Sequence, residues 1–282
     1  MKVTEEKSPT RFLARNRALL EQDEAGNNLL LGLLALLSER EEKGDLPQYH
    51  RMGKVETADG ETALLYLLNP LNIVLYGGEK VRQASELLAD HLARARATVP
   101  GVVGPREAAE AFAAAWGVRM SVTPYVKMDQ GIYRLDQVEP VPMSPGELVQ
   151  AGPKDTERVA GWYAAFYEEI GEQITPSVAL AKAQDAIAGG WLYLWRDGEA
   201  VSMAKKARPT GNGVVVSVVY TPPAYRGRGY ATSCVAALSR LLLDSGYRFC
   251  SLYTDLANPT SNAIYSRIGY RFIQESVQYR FR

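Results

Sequence analysis

Apolar and polar positions along this chain switch between strand-like and helix-like spacing, and the switch points predict its elements. The C-terminal half is predicted to contain two helices, a hairpin of two strands, a strand, a helix, a strand, a helix and a closing strand, over residues 156–170, 176–188, 191–195, 200–206, 214–221, 231–245, 247–254, 261–268 and 271–281. The β-branched run at 214–219 is typical of a buried strand, and helical spacing of apolar residues begins at Ala231.

The N-terminal half has a similar order. A helical stretch broken near Gly26, three strands, two helices and a closing pair of strands are predicted over residues 11–40, 51–57, 61–68, 71–76, 79–97, 106–116, 119–127 and 131–138. Residues 101–105 are interpreted as a connection from strand to helix. A Pro-rich stretch over 139–146 separates the halves, which predicts one domain over 1–140 and a second over 141–282.

The most distinctive stretch lies between the strand at 214–221 and the following helix. Two prolines end the strand, and Arg226, Gly227, Arg228 and Gly229 lead into the helix. A strand, a glycine-rich turn and a helix N-terminus form an anion cradle, because bare N–H groups point at a phosphate that glycine lets approach. Such a turn also occurs as an ordinary connection, so the rest of the C-terminal half has to support the phosphate site.

That half resembles the GNAT superfamily of acyl-CoA N-acyltransferases. The pyrophosphate loop of that family, Arg/Gln-x-x-Gly-x-Gly/Ala, is matched by Arg226, Gly229 and Ala231. Downstream come Asn258, a helix with Tyr265, and then Gly269-Tyr270, in the family's order. The resemblance covers residues 145–282. It implies two GNAT-like α/β (α+β) units, each a mixed sheet flanked by helices, with a V-shaped splay in the C-terminal sheet.

The resemblance also implies a ligand and a site. Acetyl-CoA is the expected acyl donor, with a small-molecule or peptide amine as acceptor. Tyr265 holds the position of the family's general acid, the N–H of Val219 would face the thioester oxygen, and Ser217 is a further catalytic candidate. The residues expected to bind the cofactor are Val218, Val219, Thr221, Arg226, Gly227, Arg228, Gly229, Tyr230, Ala231, Thr232, Asn258, Ser261, Asn262 and Tyr265. Several have structural alternatives. These are core packing on an amphipathic helix for Tyr265, solvated charge for the arginines, a turn or N-cap for Asn258, and helix capping for Ser261 and Asn262.

The general base is missing from this pattern. Many members of the family carry a Glu on the strand before the loop, whereas Ser217 is the only polar side chain between 214 and 219. A water chain from Ser217 or a carboxylate among Glu168, Glu169 and Glu172 would fill the role. An acceptor amine of low pKa would make a base unnecessary.

The N-terminal half lacks the chemistry of the C-terminal half. After its third strand it has Tyr76-Gly77-Gly78-Glu79, with no arginine and with a negative charge where a phosphate would lie. Its helix at 106–116 contains no Tyr. The sequence therefore predicts a degenerate, non-catalytic N-terminal half that shapes the acceptor pocket.

The composition limits the kinds of partner that the protein is expected to bind. The 32 basic and 32 acidic residues balance, which favours neither nucleic acid nor an anionic membrane as a partner. The two cysteines, in apolar surroundings, and the two isolated histidines indicate a reduced, cytoplasmic protein without a metal site.

Two other functions compete with the enzyme. A non-enzymatic acyl-CoA-binding or regulatory protein would explain the missing acid. A transferase that takes its acyl group from aminoacyl-tRNA is disfavoured by the balanced charge and the intact loop.

Overall fold

The computed structural model describes residues 1–282. The helices are α1 (Pro9–Leu20), α2 (Asn28–Glu42), α3 (Val81–Arg94), α4 (Arg106–Met120), α5 (Thr156–Glu169), α6 (Pro176–Ala188), α7 (Tyr230–Asp244) and α8 (Pro259–Ile268). The strands are β1 (Lys2–Glu6), β2 (Arg51–Glu56), β3 (Thr62–Leu68), β4 (Ile73–Gly77), β5 (Gly101–Pro105), β6 (Pro124–Leu135), β7 (Glu147–Gln150), β8 (Leu192–Asp197), β9 (Glu199–Ala207), β10 (Gly213–Tyr220), β11 (Phe249–Asp255) and β12 (Arg271–Phe281). No helix has the length and apolar content that a membrane span requires.

The chain forms two compact units. Unit 1 comprises Met1–Ile132, Tyr253–Asn258 and Phe272–Arg282, and unit 2 comprises Tyr133–Leu252 and Pro259–Arg271. The predicted fold class is confirmed, because each unit has a mixed sheet with helices on both faces.

In unit 1 the strands lie in the order β1-β2-β3-β4-β5-β12-β6. One face is covered by α3 and α4, which pack Leu88 and Phe112 into a core shared with β3 and β5. The other face is covered by α1 and α2, with Leu20 and Leu34 in a second core. Long apolar runs such as β3 are explained by this burial from both sides.

In unit 2 the order is β11-β10-β9-β8-β7. Helices α7 and α8 cover one face, where Cys234 and Leu238 pack with Val214 and Val216 of β10. Helices α5 and α6 cover the other face, where Ala183 packs with Met203 of β9. Both units therefore repeat one plan, in which parallel strands, β4 with β5 and β10 with β11, are joined by a helix.

Three local expectations were wrong. Residues 119–127 and 131–138 do not form a pair of strands, because α4 continues to Met120 and β6 runs without a turn from Pro124–Leu135. Residues 101–105 form β5, paired with β4 through Val102 and Ile73, instead of a connection. Strand β1, which carries four polar residues and one valine, was not predicted, since short edge strands have weak patterns.

Candidate active site in unit 2

Strand β10 leaves its neighbour part-way along its length. It pairs in parallel with β11 only from Gly213 to Val215, opposite Phe249 to Ser251, whereas β10 itself continues to Tyr220. Beyond Val215 its ladder is with β9 alone. The backbone of the second half of β10 therefore presents an edge to which an extended, amide-bearing ligand can add as a strand does.

A bulge lies in this free part of β10. The register with β9 shifts between Ser217 and Tyr220, and Val218 has a φ of 50°. A β-branched residue in the left-handed region is strained by about 1–3 kcal/mol, which the surrounding structure must offset. Bulges of this kind turn backbone groups away from the ladder and are common beside active sites. Ser217, Val218 and Val219, all predicted site residues, are half-buried here.

A buried hydroxyl marks the point where the two strands separate. Ser251 stands opposite Val215 in the last β10–β11 pair, and its Oγ is buried without a hydrogen-bond partner. A buried unpaired hydroxyl costs roughly 1–3 kcal/mol, and such a group in a native fold calls for an explanation. A polar ligand that enters between the strands would supply the missing partner.

The loop after β10 has the geometry of an anion cradle. A 3-10 turn over Pro223–Tyr225 leads to Gly227 and Gly229, with φ values of 75° and 78°. Gly229 is the N-cap of α7, and no side chain caps the helix. The first amides of α7, on Tyr230, Ala231 and Thr232, thus lack a side-chain acceptor and concentrate the positive end of the helix dipole.

Ser144, 85 residues before Gly229 in the chain, supports the cradle. Its Oγ donates a hydrogen bond of 2.7 Å to the carbonyl of Arg228, and its N–H donates one of 2.8 Å to Ser233 Oγ. A Cβ added to Gly229 would lie 2.8 Å from Ser144 Oγ. The sequence analysis missed Ser144, since no local pattern links it to the loop.

The predicted arginines differ in their surroundings. Arg226 donates from Nε to the Thr221 carbonyl at 2.8 Å, lies over the Tyr220 ring and forms an ion pair with Glu169. Glu169 is one of the three candidate bases, and in this structure its carboxylate is occupied by the guanidinium. Arg228 is exposed. A phosphate at Arg226 would therefore have to replace Glu169.

The side chain of Tyr230 is engaged within the fold. Its hydroxyl donates to Asp197 Oδ2 at 2.5 Å, and this hydrogen bond raises the pKa of Tyr230. Only the backbone N–H of Tyr230 remains suited to a ligand.

Tyr265 lies on α8 and is 8% exposed, in the same core as Val214, Val216 and Tyr230, with Val219 packed against that core. Its ring meets Tyr270 edge-on at 6.0 Å between centroids. Burial raises the pKa of Tyr265 to about 12, so its hydroxyl is protonated throughout the neutral range. The residue can therefore donate a proton.

The remaining predicted residues surround the start of α8. Ser261 and Asn262 are half-buried in its first turn. Asn258 is exposed and belongs to unit 1, where its N–H donates to the Asp255 carbonyl at 3.0 Å. The structure thus brings the loop, the β10 bulge and Tyr265 into unit 2, and assigns Asn258 to the other unit.

Unit 1 lacks these features at the equivalent place. Gly77, the last residue of β4, pairs with Leu64 of β3, and the N–H of Gly78 donates to the Ala63 carbonyl at 3.0 Å. A Cβ added to Gly104 of β5 would lie 2.9 Å from the Leu75 carbonyl oxygen of β4. Strand β4 pairs with β3 over its whole length, without the register shift that interrupts the pairing of β10 with β9.

Comparisons with known proteins agree with this arrangement. The profile of the FR47-like protein family matches residues 196–280, which hold β9, β10, the loop, α7 and α8. A GNAT-family acetyltransferase from Colwellia psychrerythraea has a TM-score of 0.57 at 12% identity, with 100% of both chains covered. A GCN5-related N-acetyltransferase from Sphaerobacter thermophilus has a TM-score of 0.58 at 21% identity, covering 88% of this chain and 84% of that one.

A Drosophila protein of known structure has a TM-score of 0.66 at 13% identity, covering 99% of this chain and 98% of its own. No curated protein sequence matches the chain significantly. The resemblance to the GNAT superfamily is confirmed, and the chain has the fold of GNAT acetyltransferases.

Proposed function

We propose that unit 2 transfers the acetyl group of acetyl-CoA to a primary amine by direct attack of the amine on the thioester. The observation that carries this proposal is the separation of β10 from β11 beyond Val215, with the bulge at Val218 inside the gap. An acyl-CoA needs a slot for its pantetheine arm, a cradle for its pyrophosphate and a polar environment for its thioester. The free part of β10 and the start of α7 offer all three.

The pyrophosphate is held by backbone amides. The N–H groups of Tyr230, Ala231 and Thr232 lie at the uncapped start of α7, and the space beside Gly227 is open. Arg226 adds charge once Glu169 is displaced. Ser261 and Asn262, in the first turn of α8, are candidates for further contacts.

The pantetheine amides pair with the β10 edge from Val216 to Thr221, in the manner of an added strand. Val219 lies within the bulge, so its N–H is free to turn toward the thioester oxygen. A single preorganised donor of this kind is worth about 2.7–4 kcal/mol of transition-state stabilisation. The unpaired Ser251 Oγ supports the presence of a polar ligand between the strands.

Tyr265 protonates the sulfur as the carbon–sulfur bond breaks. Its protonated state at neutral pH and its packing in the core that Val219 contacts support this role. Positioned proton donors contribute roughly 10²–10⁴-fold to a rate. The buried, unpaired thiols of Cys234 and Cys250 are consistent with a reducing, cytoplasmic setting.

The test is release of free thiol from acetyl-CoA, followed with a panel of primary amines, for the wild type, Tyr265→Phe and Tyr270→Phe. Tyr270 is the matched control, because it is an equally buried tyrosine whose hydroxyl is hydrogen-bonded to Ser239 at 2.8 Å. We expect Tyr265→Phe to lose 10²-fold or more in kcat while binding of acetyl-CoA persists, and Tyr270→Phe to retain turnover.

Two results would contradict the proposal. Binding of acetyl-CoA without thiol release for any amine would favour a non-enzymatic acyl-CoA-binding protein. If acetyl-CoA does not bind, unit 2 is not an acyl-CoA site of either kind.

A further inference from the structure

One lysine occupies a position beside the bulge of β10. Lys205 on β9 is the Cα partner of Ser217, and this pair is the last one before the register shift. Ser217 precedes Val219 by two residues, which is about 6–7 Å along a strand. Lys205 therefore stands beside the part of β10 where the proposed function locates the thioester.

The side chains of Lys205 and Ser217 project to the same face of the sheet. Alternate neighbours on each strand settle this: Ala204 and Val216 pack in the core under α7, whereas Met203 packs in the core under α6. Cross-strand partners share a face, with Cβ atoms about 4.5–5.5 Å apart. The Cβ atoms of Lys205 and Ser217 are therefore neighbours on one face of the sheet, directly before the bulge.

The charges around Lys205 disfavour its ammonium form. The side chain is half-buried and makes no ion pair or hydrogen bond. Burial lowers the pKa of Lys205, and the positive charges of Lys182 on α6 and Arg208 after β9 lower it further, opposed only by Asp185 on α6. Its partner on β8 is Leu192, which carries no charge. Near neutral pH, a larger fraction of Lys205 is therefore deprotonated than of an ordinary lysine.

The acid nearest to Lys205 in effect is Asp185, which is exposed on α6 and acts on Lys205 through its charge alone. Strand β10 carries no acid, and Glu169 is occupied by Arg226. Every amine acceptor has to give up a proton as its nitrogen bonds to the carbonyl carbon, and an alkylammonium acceptor has to lose one before it can attack, so the transfer needs a base.

We propose that Lys205, as the free amine, is the general base of the transfer, either directly or through the Ser217 hydroxyl. This inference rests on the proposed function of unit 2. The acceptor nitrogen forms a bond to the acetyl carbon and gives up a proton to Lys205 Nζ, or to Ser217 Oγ while Ser217 passes its own proton to Nζ. The carbon–sulfur bond breaks, the sulfur takes the proton of Tyr265, and exchange with solvent restores both side chains.

The decisive experiment is the pH profile of kcat/KM for thiol release from acetyl-CoA, in the wild type, Lys205→Met, Lys205→Arg and Lys206→Met. An aromatic amine serves as acceptor, because its own nitrogen stays unprotonated over pH 6–9 and a rise of the rate with pH then reports a group of the protein. Lys206 is the matched control, since it is the next residue on β9, faces the α7 side and lies over the Trp191 ring at 5.3 Å. Calorimetric titration of acetyl-CoA is run on all four chains.

The wild-type rate should rise with pH and level off above the pKa of Lys205, because the free amine is the active form. Lys205→Met and Lys205→Arg should both lose this rise and at least tenfold in kcat, with acetyl-CoA affinity within twofold of wild type. Arginine keeps the positive charge but does not deprotonate. A loss of rate in Lys205→Arg would therefore show that Lys205 acts by proton transfer and not by its charge. Lys206→Met should behave as wild type.

The proposal is overturned if Lys205→Met or Lys205→Arg keeps the wild-type pH profile. A second readout is independent of turnover: after reductive ¹³C-methylation, the NMR signal of Lys205, assigned by its loss in Lys205→Met, should titrate below the usual lysine pKa of about 10.4. Titration at or above that value would equally refute the role. A wild-type chain that binds acetyl-CoA but releases no thiol would overturn the proposed function, and the base with it.

Discussion

Substitution of Gly229 by alanine perturbs the cradle in two separable ways. Alanine at a φ of 78° is strained by about 1–2 kcal/mol. Its Cβ would also lie 2.8 Å from Ser144 Oγ. Ser144 can relieve this contact by rotating, but it then loses its hydrogen bond to the Arg228 carbonyl, which contributes about 0.5–1.5 kcal/mol.

The loop contains its own control. Gly227 has a φ of 75°, close to that of Gly229, but a Cβ there would meet nothing within 4 Å. We therefore expect Gly227→Ala to lower the free energy of unfolding by about 1–2 kcal/mol, from strain alone. Gly229→Ala should lower it by about 1.5–3.5 kcal/mol, because the lost hydrogen bond adds to the strain.

Urea-induced unfolding of the two variants measures this difference, and Ser144→Ala completes a double-mutant cycle. In the Ser144→Ala background the contact with the added Cβ is gone, so Gly229→Ala should cost only its strain. Equal losses for Gly227→Ala and Gly229→Ala, or additive effects of Ser144→Ala and Gly229→Ala, would show that Ser144 does not hold the loop.

Three further outcomes follow from individual side chains. The buried Tyr163 hydroxyl has no hydrogen-bond partner, so Tyr163→Phe should raise the free energy of unfolding in urea by about 1 kcal/mol; a loss would show an unseen partner. Glu169→Gln releases Arg226 and should tighten acetyl-CoA binding severalfold at low salt, as measured by calorimetry, whereas weaker binding would count against a phosphate at Arg226. Burial raises the pKa of Cys234 and Cys250 to about 12, so a thiol reagent at pH 8 should leave both unmodified in the native chain and label both in urea.

The part of the fold that the sequence predicts well is the part governed by local patterns. The β-branched run of β10, the prolines after it and the apolar spacing of α7 each act over a few residues, and the strand, the loop and the helix follow in that order. The motif around Tyr265 singled it out in the sequence, and the structure places this residue on α8 with its side chain buried. The catalytic assignments themselves stay predictions.

What the sequence did not reveal depends on long-range register and contacts. Ser144 reaches Arg228 across 84 residues, and Lys205 stands beside Ser217 only because β9 pairs with β10 in one particular register. The sequence predicted parts of two strands, 119–127 and 131–138, where the chain forms the single strand β6. These features depend on which distant segments of the chain pair with one another, and the local pattern of apolar and polar residues does not identify those partners.

The most direct test of the account is amide hydrogen exchange of the wild type with and without acetyl-CoA, followed by mass spectrometry. When acetyl-CoA saturates the protein, we predict protection in peptides covering residues 216–220 and 227–232. The pantetheine amides would pair with the backbone of 216–220, and the pyrophosphate would accept hydrogen bonds from the amides of 227–232. Peptides covering 73–81 of unit 1 should not change, since β4 pairs with β3 without a bulge and residues 77–81 contain no arginine. Protection of 73–81 instead, or no change at 216–232 with ligand bound, would contradict an acyl-CoA site between β10 and β11.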